Sequence, residues 1–531
     1  MYIYIFDLNF WQYFFNDLSF MQQIEMIADN YLLWFAFSVI LGVPGWALWK
    51  LLAIAFEKKP DITHGSAEWG DIEDAKKAGL IIETFADKRT IVGRLKGKIL
   101  GALYHVLVVA KTRGGKGVGF VIPNLLKYKG SFICNDLKGE NYIRTHRQRE
   151  KLGNQIFKFD PYEEVKNEES HGFNPFDYIK AGDPDAITLA RQIADIIASP
   201  QKNGDAFFLE YGKKVLVMWI LYVCAKCEGE ERSLATVRHF ITLPESEVAA
   251  LLVEMQEMDD FDDVIKRNAN KLLELRGDGQ KKSDTLLSIY ATADTMTAWL
   301  DDTRVAKSLS KSDFALEMFR YEPSTLYIVV SPKNLDVSQM MIKIIYTIAI
   351  QQNLTMEPPL LAKEQGLKMS KYPLKFLMDE FAQLEKFEVV KKAMPISAGY
   401  GIWFIIIIQG IQQLRDYYGD GADEFLTNCT KVFVGAEEEN TARKISEMCG
   451  KKTEGQISYT EKPVFFGLFT QKVPNHSTTA RDLITVGEAI QMPVEKPIFL
   501  TGAVRPLKID RITYWDNDPD FAGLYDDYDS F

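Results

Sequence analysis

Cysteine is scarce: the 531 residues hold five, Cys134, Cys224, Cys227, Cys429 and Cys449. An odd, scattered set excludes a disulfide-stapled scaffold and fits reduced thiols facing the cytosol. Cys224 and Cys227 form a lone CxxC inside an apolar helical run. No second pair completes a zinc site, so core packing is their expected role. The six histidines make no HExxH and no metal-ligand spacing. An excess of positive charge is also missing. The net charge of −11 removes a global basic footprint, so any contact with nucleic acid must use local patches. No basic n-region precedes the first long apolar stretch and no small-residue cleavage site follows it, which excludes an ordinary cleavable signal.

What is present is apolar residue in quantity. The chain is 47% hydrophobic and 25% charged, enough for large cores and against global disorder. Its length exceeds one ordinary domain. The stretch that organises it is Tyr104–Asn124, YHVLVVAKTRGGKGVGFVIPN. A buried strand (Tyr104–Val109), a Gly-rich loop (Ala110–Gly117) and a helix start follow one another, the layout of a phosphate-binding P-loop. Gly114, Gly115 and Gly117 let the backbone curl so that several N–H groups aim at one anion. The helix N-terminus adds partial positive charge. Lys116 can reach the β- and γ-phosphates. Thr112, Arg113, Gly114, Gly115, Lys116, Gly117 and Val118 are therefore the candidate ATP-binding residues. Two positions depart from the pattern: Ala110 replaces the first glycine, and Gly117 replaces the Ser/Thr whose hydroxyl normally ligates Mg²⁺. Pro123 should kink the helix or keep it short.

A second element fits the first. Leu374–Glu380, LKFLMDE, is an apolar strand running into two acids. Asp379 would hold Mg²⁺ through water, and Glu380 would polarise the attacking water. A third strand, Ile402–Ile408, ends in Gln409, at the end of a core strand where α/β sheets place ligands. That amide can sense the γ-phosphate. Lys116, Glu380 and Gln409 are the candidate catalytic residues, and Asp379 is the candidate metal ligand.

The rest of the chain reads in order. Met1–Phe20 is aromatic but broken by Asp7, Asn9, Asn16 and Asp17. Tyr31–Trp49 carries no charge, and as a helix it would be about 28 Å long, close to the hydrocarbon thickness of a bilayer. Lys50, Lys58 and Lys59 follow it, whereas Asp7, Asp17, Glu25 and Asp29 precede it, which puts everything after Lys58 in the cytoplasm. Residues 1–57 are thus read as a membrane anchor of one or two spans. The basic run Lys88, Arg89, Arg94, Lys96 and Lys98 is a hairpin edge or a solvated face. Strands are expected at Ser131–Asp136 and Asn154–Phe159. From Asp177 to about Leu300 the pattern is nearly all helical. Strands resume at Leu326–Val330, 374–378, 402–408 and Lys431–Val434, separated by helices, which implies a mainly parallel sheet. Ile457–Ser477 reads as a hairpin, Lys496–Leu500 and Leu507–Ile512 as closing strands. The acidic tail 516–531 is expected to be mobile.

Taken as an ordered set, several segments resemble the coupling proteins of type IV secretion and conjugation, the TraG/TraD-like ATPases. They are KTRGGKGVGFVIPNLL, CNDLKGENY, FNPFD, SDFALEMFRYEPSTLYIVV, LMDEFAQL, AGYGIWFIIIIQGIQQL and ARDLITVGEAIQMPVEKPIFLTG, behind the anchor. The resemblance covers roughly residues 30–515, and the loop variant GGKG is familiar in that family. It implies an α/β, RecA-like P-loop nucleotide-binding domain (58–177 and 301–515) with an inserted all-alpha domain (178–300). It implies a homo-hexameric ring at the bacterial inner membrane, in contact with the lipid bilayer and with the inner-membrane components of the secretion system. Such a ring receives a relaxase with its single-stranded DNA, bound without sequence preference, or an effector protein, and uses ATP to drive it to the secretion channel. Some members carry an arginine where this chain has Ala398, so a trans arginine finger must come from elsewhere, with Arg304, Arg415 and Arg443 as candidates. Two other readings share the motifs: a nucleotide-gated membrane receptor with little hydrolysis, and a DNA translocase of chromosome segregation.

Overall fold

The computed structural model describes residues 63–84, 87–166, 168–199, 205–276, 284–368, 371–464, 469–515 and 518–526. The expected anchor, residues 1–57, lies outside the described residues. Among the described residues no helix is long and apolar enough to cross a membrane.

Among the described residues the strands run β1 (Thr90–Leu95), β2 (Lys98–Ala102), β3 (Val106–Ala110), β4 (Phe132–Leu137), β5 (Gln155–Phe159), β6 (Ser324–Val330), β7 (Leu374–Met378), β8 (Ile402–Ile408), β9 (Thr430–Val434), β10 (Lys451–Val464), β11 (Phe469–Asp482), β12 (Ile498–Leu500) and β13 (Leu507–Lys508). Nine of them form one sheet in the order β13-β12-β9-β3-β8-β7-β4-β6-β5. Its pairings are parallel except those made by β12, which runs antiparallel to both β9 and β13. Helices on both faces make the crossovers, as parallel strands require. β1 and β2 pair antiparallel in the basic hairpin. β10 and β11 form a third sheet, whose outer part, Gly455–Thr479, belongs to a unit separate from Gly65–Glu454 and Ala480–Phe531.

Central parallel strands are buried on both faces, so they read as unbroken apolar runs, and the expected strands fall where the sheet has them. The differences have local causes. β3 starts at Val106 because Tyr104 is left-handed, with φ 63°. β12 starts at Ile498 because Pro497 has no N–H to give a ladder. β13 stops at Lys508 because Asp510 turns to exchange backbone hydrogen bonds with Arg94, at 2.7 and 2.8 Å.

Successive strand residues face opposite sides. Leu107, Val109, Ile133, Phe376 and Phe404 point into a core that continues through Ile193, Trp219 and Ile289 of the helical stretch. Val106, Val108, Cys134, Leu377 and Ile405 point into a second core on the other side. Between β5 and β6 no strand occurs among the described residues. Helices run instead from Ala186–Ala198 to Thr303–Ser308. The described part of the tail, residues 518–526, does not behave as a solvated acidic run. Phe521 is fully buried with Ile122, Leu126, Ile512 and Tyr514. Arg94 lies 2.7 Å from Asp518 and 2.5 Å from Asp520.

Candidate active site

The loop after β3 gets its shape from local geometry. Gly114 N–H donates to the Lys111 carbonyl at 2.8 Å. Arg113 (φ 58°) and Gly115 (φ 77°) are left-handed, which curls the chain at the carboxyl end of the sheet. Gly115 is favoured by its positive φ, and a Cβ there would also displace the Arg511 guanidinium. Helix begins after Lys116 as a π turn, Gly117–Val121, and becomes α only over Ile122–Lys127. Pro123 stands at the junction of the π turn and the short α segment. Asn124 then ties the helix to β1, accepting from Ile91 N–H and donating to the Ile91 and Phe120 carbonyls at 2.8–2.9 Å.

β8 lies between β3 and β7 in the sheet, so its end must bridge the loop and the acids. Gln409 does so. Thr112 Oγ1 donates to Gln409 Oε1 at 3.3 Å, and Gln409 Nε2 donates to Glu380 Oε2 at 3.1 Å. Lys116 Nζ lies 3.0 Å from Asp379 Oδ1 and bonds Glu380 Oε1. The three ionic side chains are 24%, 16% and 16% exposed, half-buried rather than sealed. Burial raises the Asp379 carboxyl above the usual carboxylate range, against the pull of Lys116. Burial alone would lower the Lys116 ammonium, but Asp379 and then Glu380 outweigh it and hold its pKa above the ordinary value. A cation that partners two acids beside a curled run of N–H groups can exchange them for an anion that brings its own counter-charge.

Thr112, Lys116, Asp379, Glu380 and Gln409 therefore meet in one network. Arg113, Gly114, Gly115 and Gly117 supply loop backbone, and open space surrounds the Gly117 Cα. The Val118 side chain packs against the cluster that holds Ile512 and Tyr514. Arg304, Arg415 and Arg443 are all exposed. Arg304 bonds Asp302 and Arg443 bonds Glu439. The site also holds residues that no local pattern marks. Arg511 donates from Nη1 to the Gly114 carbonyl at 3.1 Å and lies behind the loop. Asn135 grips the backbone of Asp379. Asp136, next in chain, accepts from Asn141 and Tyr142 N–H at 2.9 and 2.7 Å and starts the helix Glu140–Lys151. Its burial pushes its carboxyl up to about 8.

With this geometry in hand, comparison with known proteins is direct. The family described as type IV secretory system conjugative DNA transfer matches residues 66–528. The chain belongs to this family. Among its relatives, Protein VirD4 of Rhizobium radiobacter is 26% identical over 519 residues, covering 92% of this chain and 71% of that protein. Conjugal transfer protein TraG of Escherichia coli is 28% identical over 500 residues, covering 86% of this chain and 75% of that protein. Plasmid coupling protein TrwB, solved with the ATP analogue ADPNP, superposes with a TM-score of 0.58 at 15% identity, over 86% of this chain and 96% of that one. The same protein with ADP and Mg²⁺ gives 0.55 at 15% identity, over 78% and 87%. At such identity the likeness speaks to the fold, and the conjugative family shares this α/β fold with its large, mainly parallel sheet.

Proposed function

We propose that the chain is an ATP-hydrolysing coupling protein, which binds ATP with Mg²⁺ and drives conjugative or secreted cargo toward a type IV channel. The observation that carries this reading is the contact of Lys116 with both Asp379 and Glu380, bridged to the loop by Gln409. The donor set fits the group: a curled backbone and a lysine for phosphates, and acids for a divalent cation. TrwB, solved with ADPNP and with ADP and Mg²⁺, supports the same ligands. Mg²⁺ would neutralise charge on the β- and γ-phosphates. Asp379 would hold it through water, and Gly117 leaves the usual hydroxyl position to water as well. Lys116 would exchange the acids for the phosphates, which would free Glu380 to orient the attacking water while Gln409 would sense the γ-phosphate.

The rest of the reading follows the family. Six copies form a ring at the inner membrane, anchored by residues 1–57, with most of each chain in the cytoplasm. Residues 58–177 and 301–515 form the motor, 178–300 the inserted helical domain, and 516–531 the tail. Cargo is a relaxase with its single-stranded DNA, an effector protein, or both. One observation favours a receptor with little turnover: Lys116 and Gln409 occupy both oxygens of Glu380. Glu380→Gln separates the two readings. In an ATPase it should bind ATP and lose about 10²–10⁴-fold in turnover, the worth of a positioned acid–base group. Lys116→Ala should lose turnover and transfer together. Measured ATPase rates that neither substitution changes would sink the hydrolase reading.

A further inference from the structure

The pairing of β4 with β7 stops one residue short of the site, at Cys134 opposite Leu377. Beyond it a side chain takes over the ladder. Asp379 N–H donates to Asn135 Oδ1 at 2.9 Å, and Asn135 Nδ2 donates back to the Asp379 carbonyl. A carboxamide offers the same donor and acceptor as a peptide, so it can close this pair. Asn135 is itself fixed from behind. The Tyr346 hydroxyl, fully buried on the helix Leu335–Thr355, donates to Asn135 Oδ1 at 3.2 Å and reaches the Leu377 carbonyl at 3.4 Å. The consequence appears at the next residue. Glu380 is held left-handed, at φ 52° and ψ 45°, a conformation that a non-glycine residue adopts only when its surroundings impose it. That turn sends Asp379 and Glu380 to the same lysine.

We propose that Asn135, backed by Tyr346, is a positioning residue for the metal-holding carboxylate. It clamps the Asp379 peptide so that the strand ends there and both acids reach the phosphate site. The inference rests on the nucleotide reading above. Among the described residues neither side chain hydrogen-bonds Lys116, Glu380 or Gln409, so both act through the strand backbone at Leu377 and Asp379. The segment CNDLKGENY thereby gains a role at the site through its second residue.

The test is binding of a fluorescent ADP analogue to the full-length protein, with and without Mg²⁺. Without the metal, Asn135→Ala should bind as wild type does. With Mg²⁺ the wild type should tighten, and Asn135→Ala should lose about 10–100-fold of metal affinity, the usual cost of removing a group that orients a ligand. In an Asp379→Asn background Asn135→Ala should cost nothing more, because the clamped carboxylate is already gone. Tyr346→Phe, which keeps the core packed, should show the same metal-dependent pattern at about fivefold, the size of one net hydrogen bond. Loss of affinity that is equal with and without Mg²⁺ would mean a general structural role and would overturn the proposal. So would wild-type Mg²⁺ dependence in both variants. Should Asn135→Ala fail to fold, Tyr346→Phe decides alone. Absence of binding to the wild type would overturn the nucleotide reading, whereas wild-type binding that ignores Mg²⁺ would overturn the metal role of Asp379 and this inference with it.

Discussion

The two ends of the parallel sheet treat positive charge in opposite ways. At the carboxyl end Lys116 is half-buried and faces two acids. At the amino end Arg149 and Lys375 are fully buried, and neither forms an ion pair with an acid among the described residues. Arg149 is saturated by neutral acceptors instead: the Leu125, Tyr128 and Gly130 carbonyls, Asn154 Oδ1 at 2.6 Å and Thr325 Oγ1 at 3.0 Å. Lys375 donates to the Arg89 carbonyl at 3.1 Å and sits 3.6 Å over the Tyr128 ring. The difference separates function from architecture. On the proposed nucleotide reading, the charge that exchanges partners stays near water, where swapping one acid for a phosphate is cheap. A charge that joins strand ends is sealed in and given acceptors that never leave.

The comparison breaks hardest at Arg149. Arg149→Met should remove five hydrogen bonds and strand their acceptors in a dry site. The expected cost is about 4 kcal/mol, and in a chain of this size the melting temperature should fall by roughly 4 °C. Nucleotide affinity per folded molecule should hold, because the site lies at the other end of the sheet. Differential scanning fluorimetry paired with nucleotide titration checks both halves. A stable variant with weakened nucleotide binding would erase the division of labour.

How far the sequence alone reaches depends on whether a residue's partner is near it in the chain. β8 could be read from Ile402–Ile408 because a doubly buried strand is apolar throughout. Lys116 and the acids could be read because loop and strand chemistry occupies consecutive positions. Asn135 and Asp379 are 244 residues apart, and Arg511 and Gly114 are 397 apart. An asparagine at a strand end or an arginine near the C-terminus carries no local mark of such a contact. The helical pattern after Asp177 was equally plain, but periodicity is silent on where a helix packs. It could not show that Ile193 and Trp219 share a core with Val109.

Lys375 sharpens the comparison with a smaller effect. Burial holds its pKa well below the ordinary 10.5, and Arg149 pushes it further down. A lysine whose folded pKa is depressed binds fewer protons folded than unfolded between the two values. Stability therefore rises with pH through that window, up to the unfolded pKa. Lys375→Met has no proton to bind and should lose that slope. Its melting temperature at pH 7 should match or slightly exceed wild type, since an amine that is costly to bury is replaced by an apolar chain of similar size. Melting curves at pH 7 and pH 9.5 decide it. Equal slopes in the two proteins would mean that the Tyr128 ring keeps Lys375 protonated when folded.

The smallest effect is expected at the tail, where an acidic, aromatic sequence pointed to mobility and the structure shows a docked segment. Two kinds of contact could hold it. Arg94 pairs with Asp518 and Asp520, whose side chains are 15% and 32% exposed, so water reaches each pair in part. Phe521, in contrast, is fully buried against the helix that starts at the phosphate loop. Apolar burial of a phenylalanine outweighs a screened ion pair, which is worth about 0.2–1 kcal/mol. The doubly substituted Asp518→Asn, Asp520→Asn protein should therefore keep its tail in place. Hydrogen exchange over 518–526 should quicken only a few-fold, as a loss of up to about 1 kcal/mol implies, and ATPase rates should hold. Exchange that reaches the unprotected rate would show that the acids, not Phe521, fasten the tail.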